Sequence, residues 1–442
     1  MVSLEQTYAY RSASRLDRVA GDQHLSLVSE GVAEAPFLEA FALMPQVTAR
    51  GLRTVSEVVG ARYYVPPAML ARILREADPV ATVSPGAVRF EGFSACCSCY
   101  VRLDLDDAAL DAARRRNGTV NVDFGADLRA ALAVVGRDDR LGLSIGPDAV
   151  GVTHEETRIV ERRVPLPLRW IRGFAEVQVA MAGMAQAFAL PRVAAQRFLH
   201  QLPRGKNNQA LHVEAVGGKA RVLARPGRAS VPLRGAERLR VLEPLVALAE
   251  RLEVHLNAAT GASAWVLEFG TQRLVLVLNA DPWRGFSGDG GLLRQLAVSD
   301  GRAAALLRAQ LNWQSEIDEA SLARATGLAA GAVRAGLAEL AAVGLVGYDL
   351  RRQGYFHRVL PFDMERIAGL NPRLVAAQGL LDQGAVTLTG DGAEVRRGAV
   401  VHRVTPEGDG WRCTCPWYAK HGDVRGPCKH MLAVEMMTEA AP

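Results

Sequence analysis

Three cysteines and a histidine fall within 18 residues near the C-terminus, as Cys413-x-Cys415, twelve residues, then Cys428-x-His430. With six cysteines in 442 residues, chance is a poor account of that density. Residues i and i+2 of a strand face the same side. Strands expected over 399–405 and 411–415 therefore let the thiolates of Cys413 and Cys415 reach one ion. Gly426-Pro427 ends the intervening loop, and a helix expected over 429–437 delivers Cys428 and His430 from a rigid element. Three thiolates and an imidazole match tetrahedral Zn2+. Four protein ligands leave no position for water or substrate, so one structural Zn2+ is expected. The centre keeps one negative charge, which Arg412, Lys420, Arg425 and Lys429 are near enough in sequence to offset. Metal binding would add about 10–16 kcal/mol of folding free energy to a tail that reads as too poor in apolar residues for its own core. His421, inside the loop, is the one substitute ligand and breaks the paired spacing.

This CxC, x12, CxH pattern in a strand–strand–helix setting resembles the SWIM-type zinc finger, and all four ligand positions are matched. The resemblance implies zinc on Cys413, Cys415, Cys428 and His430. SWIM fingers occur in transposases, kinases and ATPases, where they bind nucleic acid or protein. A long N-terminal region ahead of a C-terminal finger also looks like the bacterial SWIM proteins encoded beside MoxR-type AAA ATPases and von Willebrand factor A domain proteins. That likeness implies an adaptor subunit of an ATPase-driven assembly.

Enzyme signatures are missing. The Gly-Lys pairs at Gly205-Lys206 and Gly218-Lys219 lack the Ser or Thr of a phosphate-binding loop, and His154-Glu155-Glu156 lacks the second histidine of a zinc protease. A non-enzymatic protein is expected. Cys96, Cys97 and Cys99 have no further His or Cys nearby to complete a metal set, and they read as small core residues of a strand. The cysteine clusters do not resemble an extracellular disulfide framework, and no leader or membrane-spanning stretch is visible, which points to the cytoplasm.

The net charge is +5, a mild hint of a nucleic-acid partner. The excess is uneven: residues 1–157 hold 16 basic and 21 acidic side chains, 158–240 hold 16 and 4, 241–298 hold 4 and 6, and 299–442 hold 16 and 16. The positive charge is therefore central. Arg162, Arg163, Arg169 and Arg172 are candidate phosphate contacts there, with Arg192, Arg197, Arg204, Lys206, Arg221, Arg225 and Arg228 following. Only four basic residues are Lys, so arginine abundance alone says little about phosphates.

The elements around these residues indicate an α+β multidomain chain. A mixed α/β domain is expected over 1–157, with helices at 66–78 and 106–117 and a β-rich run at 87–105. An Arg-rich α+β domain with an antiparallel sheet follows over 158–298. Its 163–204 stretch should hold two helices separated at Pro191. A hairpin turns at Gly217-Gly218, a helix covers about 236–252, and two strands sit at 264–269 and 273–278. Over 299–362, three helices and a hairpin match the order of a winged helix, carried by SLARATGLAAGAVRAGLAELAAVGLV. Its third helix offers only Arg334 and Glu339 on an Ala- and Gly-rich surface, so protein docking is the first expectation and DNA or RNA contact the second. Arg351, Arg352 and Arg358 of the hairpin, with Lys420 and Arg425 of the finger, complete the candidate nucleic-acid contacts. A linker helix and the finger fill 363–442.

Overall fold

The computed structural model describes residues 15–19, 22–26, 36–63, 79–122, 124–155, 157–162, 168–206, 209–288, 290, 293, 301–360, 372–408 and 410–439. Side chains are described for all of these except 15–19, 22–26, 161–162, 168–169, 423–424 and 439. The helix expected at 66–78 and the candidate Arg163 lie outside the described residues, as do the side chains of Arg162 and Arg169. The fold is α+β with several antiparallel sheets.

The first part runs β1 (Arg15–Val19), β2 (Asp22–Ser26), β3 (Leu38–Ala42), α1 (Pro45–Gly60), β4 (Val80–Ser84), β5 (Ala87–Phe93), β6 (Cys99–Asp106), β7 (Leu110–Arg115), β8 (Gly118–Asn121), α2 (Ala126–Ala133), β9 (Leu141–Ile145), β10 (Ala149–His154) and β11 (Thr157–Arg162). The helix expected over 106–117 is instead a short 3-10 turn at Asp107–Ala109 and the strand β7. β7 is the edge of a five-stranded sheet, order β11-β10-β9-β3-β7, and pairing with β3 overrides the helical propensity of its alanines.

The middle part holds α3 (Leu168–Ala182), β12 (Ala185–Pro191), α4 (Arg192–Gln201), β13 (Leu211–Val216), β14 (Lys219–Leu223), β15 (Val231–Leu233), α5 (Glu243–Val246), β16 (Arg251–Leu256), β17 (Ser263–Glu268) and β18 (Gln272–Leu278). Both helices expected in 163–204 are present, but the apolar run between them is the strand β12, which pairs with β16. The helix expected over 236–252 is a 3-10 stretch, Ala236–Leu242, and a single turn, α5. Pro244 sits at its start, and Arg251 already belongs to β16. The hairpin at Gly217-Gly218 and both later strands form as expected.

An eight-stranded antiparallel sheet, order β12-β16-β17-β18-β6-β5-β4-β8, joins these two parts through the β6–β18 pairing. It runs across the division expected at 157/158. Period-2 alternation puts charged residues on one face of its centre. Asp104 of β6 stands opposite Arg89 of β5 and Arg273 of β18 in the ladder.

The last third contains α6 (Arg302–Arg308), α7 (Glu319–Thr326), α8 (Ala330–Ala342), β19 (Val346–Asp349) and β20 (Gly354–His357), the expected order of three helices and a hairpin. Asp318 caps α7 through its backbone amides, and Gly327 ends it at φ +71°. Val333, Leu337 and Leu340 of α8 are buried, and Ala338 and Ala342 pack on Ala175 of α3. The hairpin lies on the charged face of the large sheet. There Asp349 accepts from Arg273 Nη2 at 2.9 Å, and Arg102 Nη1 donates to the Tyr348 carbonyl at 2.8 Å. Arg102 grips Asp104 in a fork at 2.8 and 3.0 Å, and Arg273 Nε reaches the same carboxylate at 2.9 Å. Arg89 lies 3.7 Å from both carboxylates and over the Phe356 ring. Burial opposes ionisation of Asp349, yet Arg273, Arg102 and Arg89 hold its carboxyl at about 2.

Asp349→Asn leaves three buried guanidiniums facing one carboxylate, and it should destabilise the hairpin against the sheet by about 3–5 kcal/mol in urea denaturation. Asp349 has a folded pKa below its unfolded value of about 3.9. Its contribution is therefore complete above about pH 4 and is lost as the pH falls toward about 2. Stability measured over that window should drop less in Asp349→Asn than in wild type.

Candidate metal centre

The finger is built on α9 (Pro372–Asp382) and a four-stranded sheet of β21 (Val386–Thr389), β22 (Gly392–Arg397), β23 (Val400–Glu407) and β24 (Gly410–Cys413), followed by α10 (Pro416–His421) and α11 (Lys429–Glu439). Cys413 ends β24 opposite Val404 of β23. The extended conformation continues to Cys415, the N-cap of α10, whose Sγ accepts from the Tyr418 amide at 3.4 Å. Cys428 sits one residue before α11, and its carbonyl accepts the first bond of that helix, from Leu432. His430 follows in the first turn. A strand end, a helix cap and a helix start thus present the ligands, none of which lies on a long loop.

The four ligand atoms lie within 4.8 Å of one another. His430 Nδ1 is 3.7 Å from Cys413 Sγ and 3.9 Å from Cys428 Sγ. Zn–S of about 2.3 Å and Zn–N of about 2.0–2.1 Å imply tetrahedral edges of about 3.5–3.8 Å, so the set fits the ion. The ligands are 1–5% exposed, which shuts out water. Cys415 is held in its thiolate form chiefly by hydrogen bonds from Cys413 and Cys428, and the same sharing pushes the Cys413 thiol up. Bound Zn2+ would take the place of those shared protons. The donors form one Cys3His centre among the described residues, suited to a single structural Zn2+. His421 stands apart from it, against the Trp417 ring at 5.1 Å. The His402 ring, by contrast, lies 4.5 Å from that of His430.

The tail has a core of its own, contrary to the expectation that it is too poor in apolar residues. Ala377 and Leu380 of α9, Val386, Val395, Val404 and Met431–Val434 pack around the ligands, joined by Leu293 from far upstream. Sequence spacing also missed Arg373. Its Nη1 donates to the carbonyls of Arg425 at 2.6 Å and Pro427 at 3.1 Å, and its guanidinium lies over Trp417. It therefore pins the loop that delivers Cys428, and no local pattern announces a partner some fifty residues away. Gly426, at φ +71°, meets Gly290 so closely that a Cβ would fall 2.1 Å from its carbonyl oxygen, so only glycine fits.

The described candidate nucleic-acid contacts differ widely in burial and partners. Arg358 is a correction: it is fully buried and ion-paired to Glu91, whose other oxygen accepts from Tyr100. Arg351 is surface-exposed but lies near Asp106 and Glu268, and Arg352 donates to the Ser315 carbonyl at 2.9 Å. Arg172 is half-buried on α3, Lys420 is exposed, and Arg425 donates to the Gly288 carbonyl at 3.2 Å. Trp170 and Phe174 are core residues. Among the earlier cysteines, Cys96 and Cys97 occupy a tight turn, with Cys97 at φ 55°, and only Cys99 lies in a strand. Burial pushes the Cys99 thiol up to about 12, in keeping with an inert core residue.

Residues 402–439 match the family model of the SWIM zinc finger. Among solved structures, the proliferating cellular nuclear antigen of Entamoeba histolytica is similar at 11% identity and a TM-score of 0.38, over 55% of this chain and 98% of that one. The PCNA2–PCNA3 complex of Sulfolobus tokodaii is similar at 9% identity and a TM-score of 0.39, over the same shares. Likeness at this level bears on neither function nor site. No curated protein matches the chain.

Elemental analysis should find one zinc per wild-type chain and much less in Cys413→Ser or Cys428→Ser; equal zinc in all three would refute the centre. Because the finger has a core separate from that of the large sheet, chelation should raise hydrogen exchange in α11 and leave β6 and β18 protected.

Proposed function

We propose that the chain is a zinc-stabilised, non-enzymatic interaction protein, an adaptor subunit of an ATPase-driven assembly. The observation that carries this reading is the closed Cys3His centre: every coordination position is filled by a buried protein ligand. The ion then supports a docking surface and offers no place for a reacting molecule. The helix–helix–helix–hairpin unit, read as a winged helix, supports protein docking. Ala338 and Ala342 of its third helix pack on Ala175 of α3, and the exposed Arg334 is near Glu319 at 3.9 Å. Little there could read base edges.

The plan of a long N-terminal region before a C-terminal SWIM finger favours a MoxR-type AAA ATPase and a von Willebrand factor A domain protein as partners. None of the six cysteines is in a disulfide, which fits a reducing, cytoplasmic setting. No helix among the described residues is long and apolar enough to cross a membrane.

Tagged wild-type chain recovered from nuclease-treated extract of its native host should carry an AAA ATPase with it. Cys428→Ser should not, while keeping the exchange protection of its large sheet. Recovery of no ATPase by wild type would overturn the adaptor reading.

A further inference from the structure

We infer that α4 and the three-stranded sheet β14-β13-β15 form a second binding surface, one that holds the phosphate backbone of a nucleic acid without reading its sequence. The surface goes beyond the adaptor reading and shares no residue with the finger. Residues 192–233 contain eight cations, Arg192, Arg197, Arg204, Lys206, Lys219, Arg221, Arg225 and Arg228, and a single acid, Glu214. All eight are exposed, and none has an acidic partner within ion-pair distance among the described residues. Glu214 stands opposite Arg221 in the ladder without pairing to it.

The arginines of the large sheet and of the segments packed beside it are treated differently. Arg89, Arg102, Arg273 and Arg358 are buried in ion clusters, Arg240 is bound to Glu243, and Arg251 to Glu253. The unit is small and held firmly. α4 buries Ala195, Phe198 and Leu199, β13 buries Val213, and Ala220 and Val222 of β14 pack on the same core. Alternation along β14 then turns Lys219 and Arg221 outward. Arg192 and Arg197 lie on the solvent side of α4, and Arg204, Lys206, Arg225 and Arg228 stand in the flanking loops. The cations therefore stand on the solvent side of the helix, the strand and the loops, which suits an extended polyanion.

Partner chemistry follows from what is absent. The sole Phe, Tyr or Trp in 192–233 is Phe198, and it is stacked on Trp265 in the core at 5.5 Å. The surface thus presents no Phe, Tyr or Trp to enter a bilayer or to anchor a protein interface, and its exposed ring among the described residues is the imidazole of His200. Its large exposed apolar residues are Val193 and Val216. What remains is charge alone, most of it on guanidiniums that match phosphate oxygens bidentately.

The test uses the full chain, zinc-loaded, with labelled random-sequence DNA and RNA duplexes and with phosphatidylserine-containing vesicles. Wild type should bind at least one duplex, and the tighter duplex identifies the source of the phosphates. The affinity should fall with salt along a log–log slope of about 0.9 per phosphate contacted, hence between about −4 and −7. Arg221→Gln/Arg225→Gln/Arg228→Gln should weaken binding at least tenfold and flatten the slope by about 2–3. Arg192→Gln/Arg197→Gln, on a different element, should flatten it by about 2, and unchanged zinc content and circular dichroism show that both variants fold. Absence of duplex binding at low salt overturns the inference, as does an unchanged slope in both variants. So does capture by vesicles alone, or binding that Cys413→Ser abolishes and the arginine variants keep. None of these results depends on whether an ATPase is recovered.

Discussion

Five charged side chains meet in the interior where the large sheet touches the hairpin: Asp104 and Asp349, with Arg89, Arg102 and Arg273 around them. Such a cluster is costly to desolvate, and it holds only if its members are placed together with correct geometry. The ladder does this on one side, since Asp104 is flanked in register by Arg89 and Arg273. The hairpin must supply Asp349 to complete it. The same carboxylate also accepts from the amides of Arg351 and Arg352, so one residue shapes the hairpin turn and docks it. Strands β5, β6 and β18 and a hairpin near residue 350 are thereby committed to one arrangement.

That commitment decides what the last third can do. A wing free to lie along a nucleic-acid backbone needs its cations in solvent. Here Arg358 has gone into the core beside Glu91, and Arg351 is near Asp106 and Glu268. The hairpin is clamped to the large sheet, and of Arg351, Arg352 and Arg358, Arg352 alone has no carboxylate partner among the described residues. Unanswered positive charge gathers instead on α4 and the small sheet, at the edge of the large sheet next to β12.

The zinc centre is organised on a different principle. Its ligands come from the ends of regular elements, and its core is separate from the main one, linked to the body by Leu293, the Gly290–Gly426 contact and the Arg425–Gly288 hydrogen bond. Gly288, Gly290 and Leu293, which follow the last strand of the large sheet, therefore reach the finger. Arg373 adds a second tie, because its guanidinium satisfies two loop carbonyls that would otherwise be left without partners near the ligands.

Local chemistry is enough for the metal. Ligand type, the i, i+2 spacing and the Gly-Pro loop end all act over a few residues, so Cys413, Cys415, Cys428 and His430 are legible in the amino-acid sequence alone, along with the hairpin at Gly217-Gly218 and the three helices of 299–342. Strand β7 and strand β12 are not, because alanine-rich runs such as Leu110–Arg115 and Ala185–Pro191 become strands only when a distant edge offers hydrogen bonds. Nor can sequence say which arginines face water. Arg358 and Arg228 are the same residue type in similarly basic surroundings. A carboxylate 267 residues away in the chain draws one inward, and the lack of any such partner leaves the other exposed, since burial of a guanidinium requires a counter-charge that only the tertiary fold can bring.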